Sequence, residues 1–129
     1  RIKFTGKNKR QVLMVINDAT TAFLNDADLQ FLGGILNACK LGFEDIALMN
    51  INEQRDADHL SLQQQFNPSA VISFDIELSK MCYPLHIPHF QFQNHNCQTF
   101  LRAPPLDALR NDVQLKKELW TCLKKLFNL

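Results

Sequence analysis

Apolar residues gather along this chain into three short, nearly unbroken runs: residues 11–16 (QVLMVI), 46–51 (IALMNI) and 70–74 (AVISF). Runs of this length without polar alternation predict strands covered on both faces, the habit of a parallel sheet. Between the first two lies a helical spacing, with Leu29, Leu32, Leu36 and Cys39 on one stripe. Asn25 offers the N-cap, Asp26 and Asp28 suit the positive helix start, and Gly42 supplies a stop, so a helix is expected over residues 25–40. Gly33-Gly34 within it should cost about 1 kcal/mol per glycine against alanine, and close approach of helix to sheet is the expected compensation. Residues 56–66 predict a second helix presenting Leu60 and Leu62, ended by Asn67-Pro68.

Alternation of strand and helix is the pattern of right-handed βαβ units. The fold class expected is α/β, a three-layer α/β/α domain around a central, mostly parallel sheet of about four strands. From Asp75 to Gln98 the pattern weakens, Pro84 and Pro88 interrupt it, and a loop is expected with an edge strand near residues 90–92. Residues 99–102 predict the last strand. Pro105 opens a short helical turn over 105–110. Asp112 caps the final helix, where Leu115, Leu119, Leu123 and Leu126 form a stripe widened by Trp120 and Phe127.

Charge divides this picture. Arg1, Lys3, Lys7, Lys9 and Arg10 place five cations in the first ten residues. From 11 to 109, four basic residues face eleven acidic ones, a net −7, and the remainder turns basic again. The domains expected are a basic N-terminal tail at 1–10, with too little apolar content to fold alone, and a single α/β domain at 11–129. An acidic body argues against a general DNA-coating surface and favours protein partners. The chain starts at Arg1 without an initiator Met, so a preceding stretch is expected. The first ten residues lack a secretory pattern and no apolar run is of bilayer-spanning length. Cys39, Cys82, Cys97 and Cys122 are scattered as small core residues would be in a reducing compartment, and a cytoplasmic location is expected.

Candidate chemistry is sparse. Cys82, His86, His89, His95 and Cys97 crowd sixteen residues, but the spacing C-x3-H-x2-H-x5-H-x-C matches no closed zinc pattern. A surface loop with semi-buried thiols is expected, with no metal and no cofactor. Asp75 and Glu77 follow the third apolar run, where carboxylates could do acid–base work, although loop carboxylates are usually just solvated. No nucleophile elbow surrounds Ser61, Ser69, Ser73 or Ser79, and the turn after the first run, Asn17-Asp18-Ala19-Thr20-Thr21, has no phosphate-cradling glycine. Lys116-Lys117 and Lys124-Lys125 read as a solvated helix face. Trp120 is either core or an interface anchor.

Two stretches carry a resemblance: VLMVINDATTAFLNDADLQFLGGILNACKLGFEDIALMNI (12–51) and APPLDALRNDVQLKKELWTCLKKLF (103–127). A buried strand ending in Asn-Asp, a leucine-striped helix, a second strand and a closing P-L-x-x-L-R…L-W helix resemble the psi subunit of bacterial DNA polymerase III holoenzyme. The resemblance implies a non-enzymatic α/β/α adaptor joining clamp-loader subunits to a chi-like protein, and through it to single-stranded-DNA-binding protein. It implies that the segment before the first strand makes the clamp-loader contact. Here that segment is 1–10, which makes Arg1, Lys3, Lys7, Lys9 and Arg10, with Trp120, the candidate protein-binding residues. That segment has no tryptophan, a departure from the family.

The psi domain also resembles the uracil-DNA glycosylase fold, which implies the alternative, a glycosylase-like enzyme with an altered active site. Asn17-Asp18 would stand at the water-activating motif. Ala103-Pro104-Pro105-Leu106 would stand at the histidine motif, without its histidine, and Phe23 or Phe74 would stack on a flipped base. A further alternative is an α/β domain with a loop metal site.

Overall fold

The computed structural model describes residues 1–129 as a mixed α/β domain of six strands and four helices. In chain order these are β1 (Thr5–Gly6), β2 (Val12–Ile16), α1 (Asp26–Ala38), β3 (Ile46–Asn50), α2 (His59–Phe66), β4 (Ala70–Phe74), β5 (Gln91–His95), β6 (Gln98–Ala103), α3 (Leu106–Arg110) and α4 (Val113–Phe127). The strands form one sheet in the order β1-β3-β2-β4-β6-β5. β3, β2, β4 and β6 are parallel, while β1 and β5 close the two edges antiparallel. The sheet has six strands against the expected count of about four: β5 takes up the edge expected near residues 90–92 but runs on to His95, and β1, two residues in a polar segment, had no counterpart.

The three apolar runs occupy the centre. Every residue of β2, β3 and β4 is buried. Side chains alternate between two cores. Met14, Leu48, Ile72 and Leu101 face a core closed by Leu32 and Leu36 of α1, Leu106 and Leu109 of α3, and Leu119 and Leu123 of α4. Leu13, Met49, Val71 and Phe100 face the other, which takes Leu62 and Phe66 of α2. The rest of that second cover is a strap. Met81, Tyr83, Leu85 and Ile87 point inward, while Cys82, Pro84, His86 and Pro88 point out. The two prolines thus sit on the outer side of an extended segment that pairs with no strand.

Helix ends follow local chemistry. Asn25 Oδ1 accepts from the Asp28 amide at 2.8 Å, Asp58 caps α2 and Asp112 caps α4. Gly42 is not the stop of α1. Lys40 takes the left-handed conformation at φ 61°, and the Leu41 amide donates back to the Leu36 carbonyl at 2.8 Å. α2 begins three residues later than expected, at His59, and Leu60 faces solvent with 62% exposure. Gly33 and Gly34 do not bring α1 close to the sheet: a Cβ on Gly34 would meet nothing within 4 Å.

Residues 1–10 are not a detached tail. Ile2 is buried in the second core, its amide donates to Gln65 Oε1 at 2.9 Å, and Gln65 Nε2 donates back to its carbonyl at 2.7 Å. Phe4 packs edge-on against Phe66. Gly6, at φ 94°, turns so close to β3 that a Cβ would run into the Ile46 carbonyl oxygen. Two apolar residues at alternate positions suffice, because the sheet edge and α2 supply the rest of the packing. No helix is long and apolar enough to cross a membrane.

Candidate functional site at the carboxyl edge of the sheet

β2 and β4 are neighbours, but their connections leave in opposite directions: β2 leads through α1 to β3, and β4 leads through the strap to β6. In open α/β sheets such a switch point opens a crevice beyond the carboxyl ends of the strands. Two clefts lie there, about 320 and 560 Å³ in volume, sharing Asn17, Phe74 and Pro105 as their common wall.

The smaller cleft is acidic, with Asp18, Asp28 and Asp107 on its lining. Asp18 is committed to its own loop. Its Oδ1 accepts from the Thr20 amide at 2.8 Å and the Thr20 hydroxyl at 2.6 Å, and its Oδ2 accepts from the Thr21 hydroxyl at 3.0 Å. These bonds, chiefly those from Thr20, hold its carboxyl below the usual carboxylate range. A carboxylate so stabilised is a weak base at neutral pH. Asp28 is buried and meets Arg110 Nε at 3.2 Å, tying α1 to α3.

Beneath this loop lies Asn50, the last residue of β3 and 3% exposed. Its Nδ2 donates to the carbonyls of Asp18, Thr21 and Ala22 at 2.7, 3.0 and 3.2 Å. Its Oδ1 accepts from the amides of Asp18 and Asn52 at 3.0 and 3.1 Å. One side chain thus satisfies five backbone groups of two loops. The sequence marks it only as a polar residue ending an apolar run.

The larger cleft is lined by both signs of charge, Arg55 and Lys80 together with Asp75 and Glu77. Asp75 and Glu77 do not stand free as an acid–base pair. Arg102 of β6 donates to the Asp75 carbonyl from Nη2 at 2.8 Å and to the Ile87 carbonyl from Nη1 at 3.2 Å. It also lies 3.5 Å from each carboxylate. His89 Nε2 is 2.9 Å from Asp75 Oδ1, and His86 Nδ1 is 3.8 Å from Glu77 Oε2. Asp75 itself is strained into φ 77°. Arg102 therefore pins both ends of the strap to the sheet, a role its place at the end of a predicted strand does not announce.

The cysteine–histidine cluster is dispersed. Asn96 and Cys97, both at positive φ, form the two-residue turn between β5 and β6. His95 and Cys97 sit at that end, while His86 and His89 lie near Asp75 and Glu77 at the carboxyl edge, one strand length away, roughly 17 Å. No three His, Cys, Asp or Glu side chains converge as a metal would require. Cys82 and Cys97 are exposed, and Cys39 and Cys122 are buried with thiols pushed up by burial.

Asn17-Asp18 and Pro105-Leu106, the two positions of the glycosylase comparison, do meet across the smaller cleft. Pro105 and Leu106 bring only apolar side chains to the place where a histidine would donate. Phe74 forms the cleft floor at 5% exposure, whereas Phe23 packs on the α1 side core. Among the candidate binding residues, Arg1, Lys3, Lys7, Lys9 and Arg10 are exposed on a folded edge. Trp120 is half-buried on the opposite side of the domain, between α1 and α4. No protein-family model matches the chain, and no curated protein matches it in sequence.

Proposed function

We propose that this protein is a non-enzymatic adaptor of the DNA replication machinery, similar to the psi subunit, linking clamp-loader subunits to a chi-like protein and so to single-stranded-DNA-binding protein. The observation that carries the non-enzymatic half is the carboxyl-edge cleft. Its one carboxylate at a catalytic position, Asp18, is occupied by Thr20 and Thr21. The facing wall, Pro105 and Leu106, offers no donor to stabilise a developing charge. The adaptor half rests on the two resembling stretches, which fold as β2-α1-β3 and α3-α4. On this reading the parallel strands and the helices on both faces form the family's α/β/α core, in the cytoplasm, with β1 and β5 as edge additions.

The clamp-loader contact then falls to a folded basic edge, Arg1, Lys3, Lys7, Lys9 and Arg10, rather than to a flexible tether. Tagged protein expressed in its own cells should recover clamp-loader subunits together with a chi-like partner. Recovery of neither, with the protein folded, would sink the reading. The glycosylase alternative keeps one point in its favour, the meeting of Asp18 and Pro105 across one cleft. It requires uracil excision from DNA that disappears in Asp18→Asn, and we expect no excision from the unaltered protein.

A further inference from the structure

On the outer side of the helical face, α1 and α4 leave an apolar groove of about 320 Å³ between them. Phe31, Ile35 and Ala38 of α1 form one wall, and Leu119, Trp120 and Leu123 of α4 form the other. Gly34 lies between these walls, at the point where α1 has no side chain. The fold does not ask for that glycine. Its backbone is helical, a Cβ would touch nothing within 4 Å, and alanine there would be the better helix former. What the glycine does keep is the groove's depth.

The groove is also positively rimmed. Lys116, Trp120 and Lys124 follow one another at four-residue spacing, so they line a single ridge of α4 with the indole in the middle. Lys124 Nζ stands 5.9 Å from the indole centroid. The lining contains Lys116 and no carboxylate, and α4 carries four lysines against Glu118 alone. This stands out on a chain whose residues 11–109 sum to −7. An apolar trough flanked by ammonium groups matches an amphipathic helix with an acidic polar face, inserted as helix-in-groove packing. Nucleic acid fits less well, since phosphates would use the lysines and leave the apolar walls wet.

We infer that the α1–α4 groove is a docking site for an acidic amphipathic helix of a protein partner, with Trp120 as its anchor and Lys116 and Lys124 as its charge selectors. The inference stands on the groove and not on the replication reading, so either can fail alone.

Two synthetic amphipathic helices with the same leucine stripe, one with a glutamate polar face and one with a lysine polar face, test it on the full chain. Trp120 is the sole tryptophan, so its emission reports groove occupancy directly. The glutamate helix should shift that emission and perturb amides of α1 and α4, with the lysine helix at least roughly tenfold weaker. Lys116→Glu with Lys124→Glu should invert the preference. Gly34→Leu should abolish binding while thermal stability holds or rises, which separates blockage from unfolding. Equal binding of both helices, binding of neither, or amide shifts confined to other surfaces would overturn the proposal. So would a dimer in sedimentation that Gly34→Leu dissolves, or tighter binding of single-stranded DNA than of the glutamate helix at the same lysines.

Discussion

The side chain of Asn50 reads the backbone of Asp18 as a neighbouring strand would, donating to its carbonyl at 2.7 Å and accepting from its amide at 3.0 Å. β2 and β3 run paired from Val12↔Ile46 as far as Ile16↔Asn50, where the ladder ends. Beyond it the amide of Asn50 extends the ladder by one rung and fixes where the β2–α1 loop turns. The buried side chain of Asn50 thus holds from beneath the Asp18–Ala22 loop, part of which lines the smaller cleft.

Asn50→Leu keeps the side chain's branched outline and strands five backbone partners. Buried groups left unpaired cost about 1–3 kcal/mol each, although loop groups regain water. A loss of roughly 2–4 kcal/mol is expected in urea unfolding. The amides of Asp18 and Asn52 should lose hydrogen-exchange protection before the rest of the sheet. A variant as stable as the parent would refute the role assigned to Asn50.

Gly6→Ala tests whether residues 1–10 belong to the fold. The backbone there is at φ 94°, and the new methyl would collide with the Ile46 carbonyl oxygen. Destabilisation of about 1–3 kcal/mol is expected, with loss of protection at Asn8, whose amide donates to that same carbonyl at 2.9 Å. A detached tail would tolerate the change without effect.

Tyr83 Oη is buried and has no hydrogen-bond partner, and burial pushes the phenol up to about 12. Removing an unsatisfied hydroxyl costs nothing, so Tyr83→Phe should match the parent at neutral pH or exceed it by about 1 kcal/mol. The folded value lies above the ordinary phenol value near 10. Below pH 10 both states keep the proton and the parent's stability is whole. As pH rises from 10 toward 12 the unfolded chain loses its proton first, and the parent should lose about 2–3 kcal/mol relative to Tyr83→Phe. Parallel denaturation curves across that range would contradict the burial of the phenol.

Arg102→Met keeps an unbranched apolar stem and removes the guanidinium with its bonds to the Asp75 and Ile87 carbonyls. Bonds to a charged group contribute about 1.5–3 kcal/mol, and a loss on that scale is expected. Since Arg102 fastens the strap at both ends, proteolysis within residues 75–90 should begin well before global unfolding. Unchanged resistance there would mean the inward row of Met81, Tyr83, Leu85 and Ile87 holds the strap unaided.

Much of the domain was legible from local chemistry. β2, β3 and β4 announce themselves because strands buried on both faces must be apolar throughout, and Asn25 and Asp112 are side chains that can satisfy the orphan amides of a helix start. α4 starts directly after the expected cap Asp112 and runs through the whole leucine stripe to Phe127, since a long amphipathic period is the strongest helical signal a chain carries. What escaped depends on partners distant in sequence. β1 is two residues long and exists only because β3 offers a free edge and Phe66 a surface for Phe4. The strap's alternation from Met81 to Pro88 looks like a broken loop until the sheet beneath it is in place to receive every second side chain. Lys40 ends α1 ahead of the glycine because the final turn closes through the Leu36 carbonyl, a matter of three-dimensional register. The same holds for the sites: Asp18, Asn50 and Pro105 are unremarkable apart, and so are Gly34 and Trp120. Local composition settles which segments must be buried and where most helices can begin. Which polar side chains answer one another across the chain is fixed by packing in three dimensions, because a hydrogen bond or a groove between remote residues has no period to read.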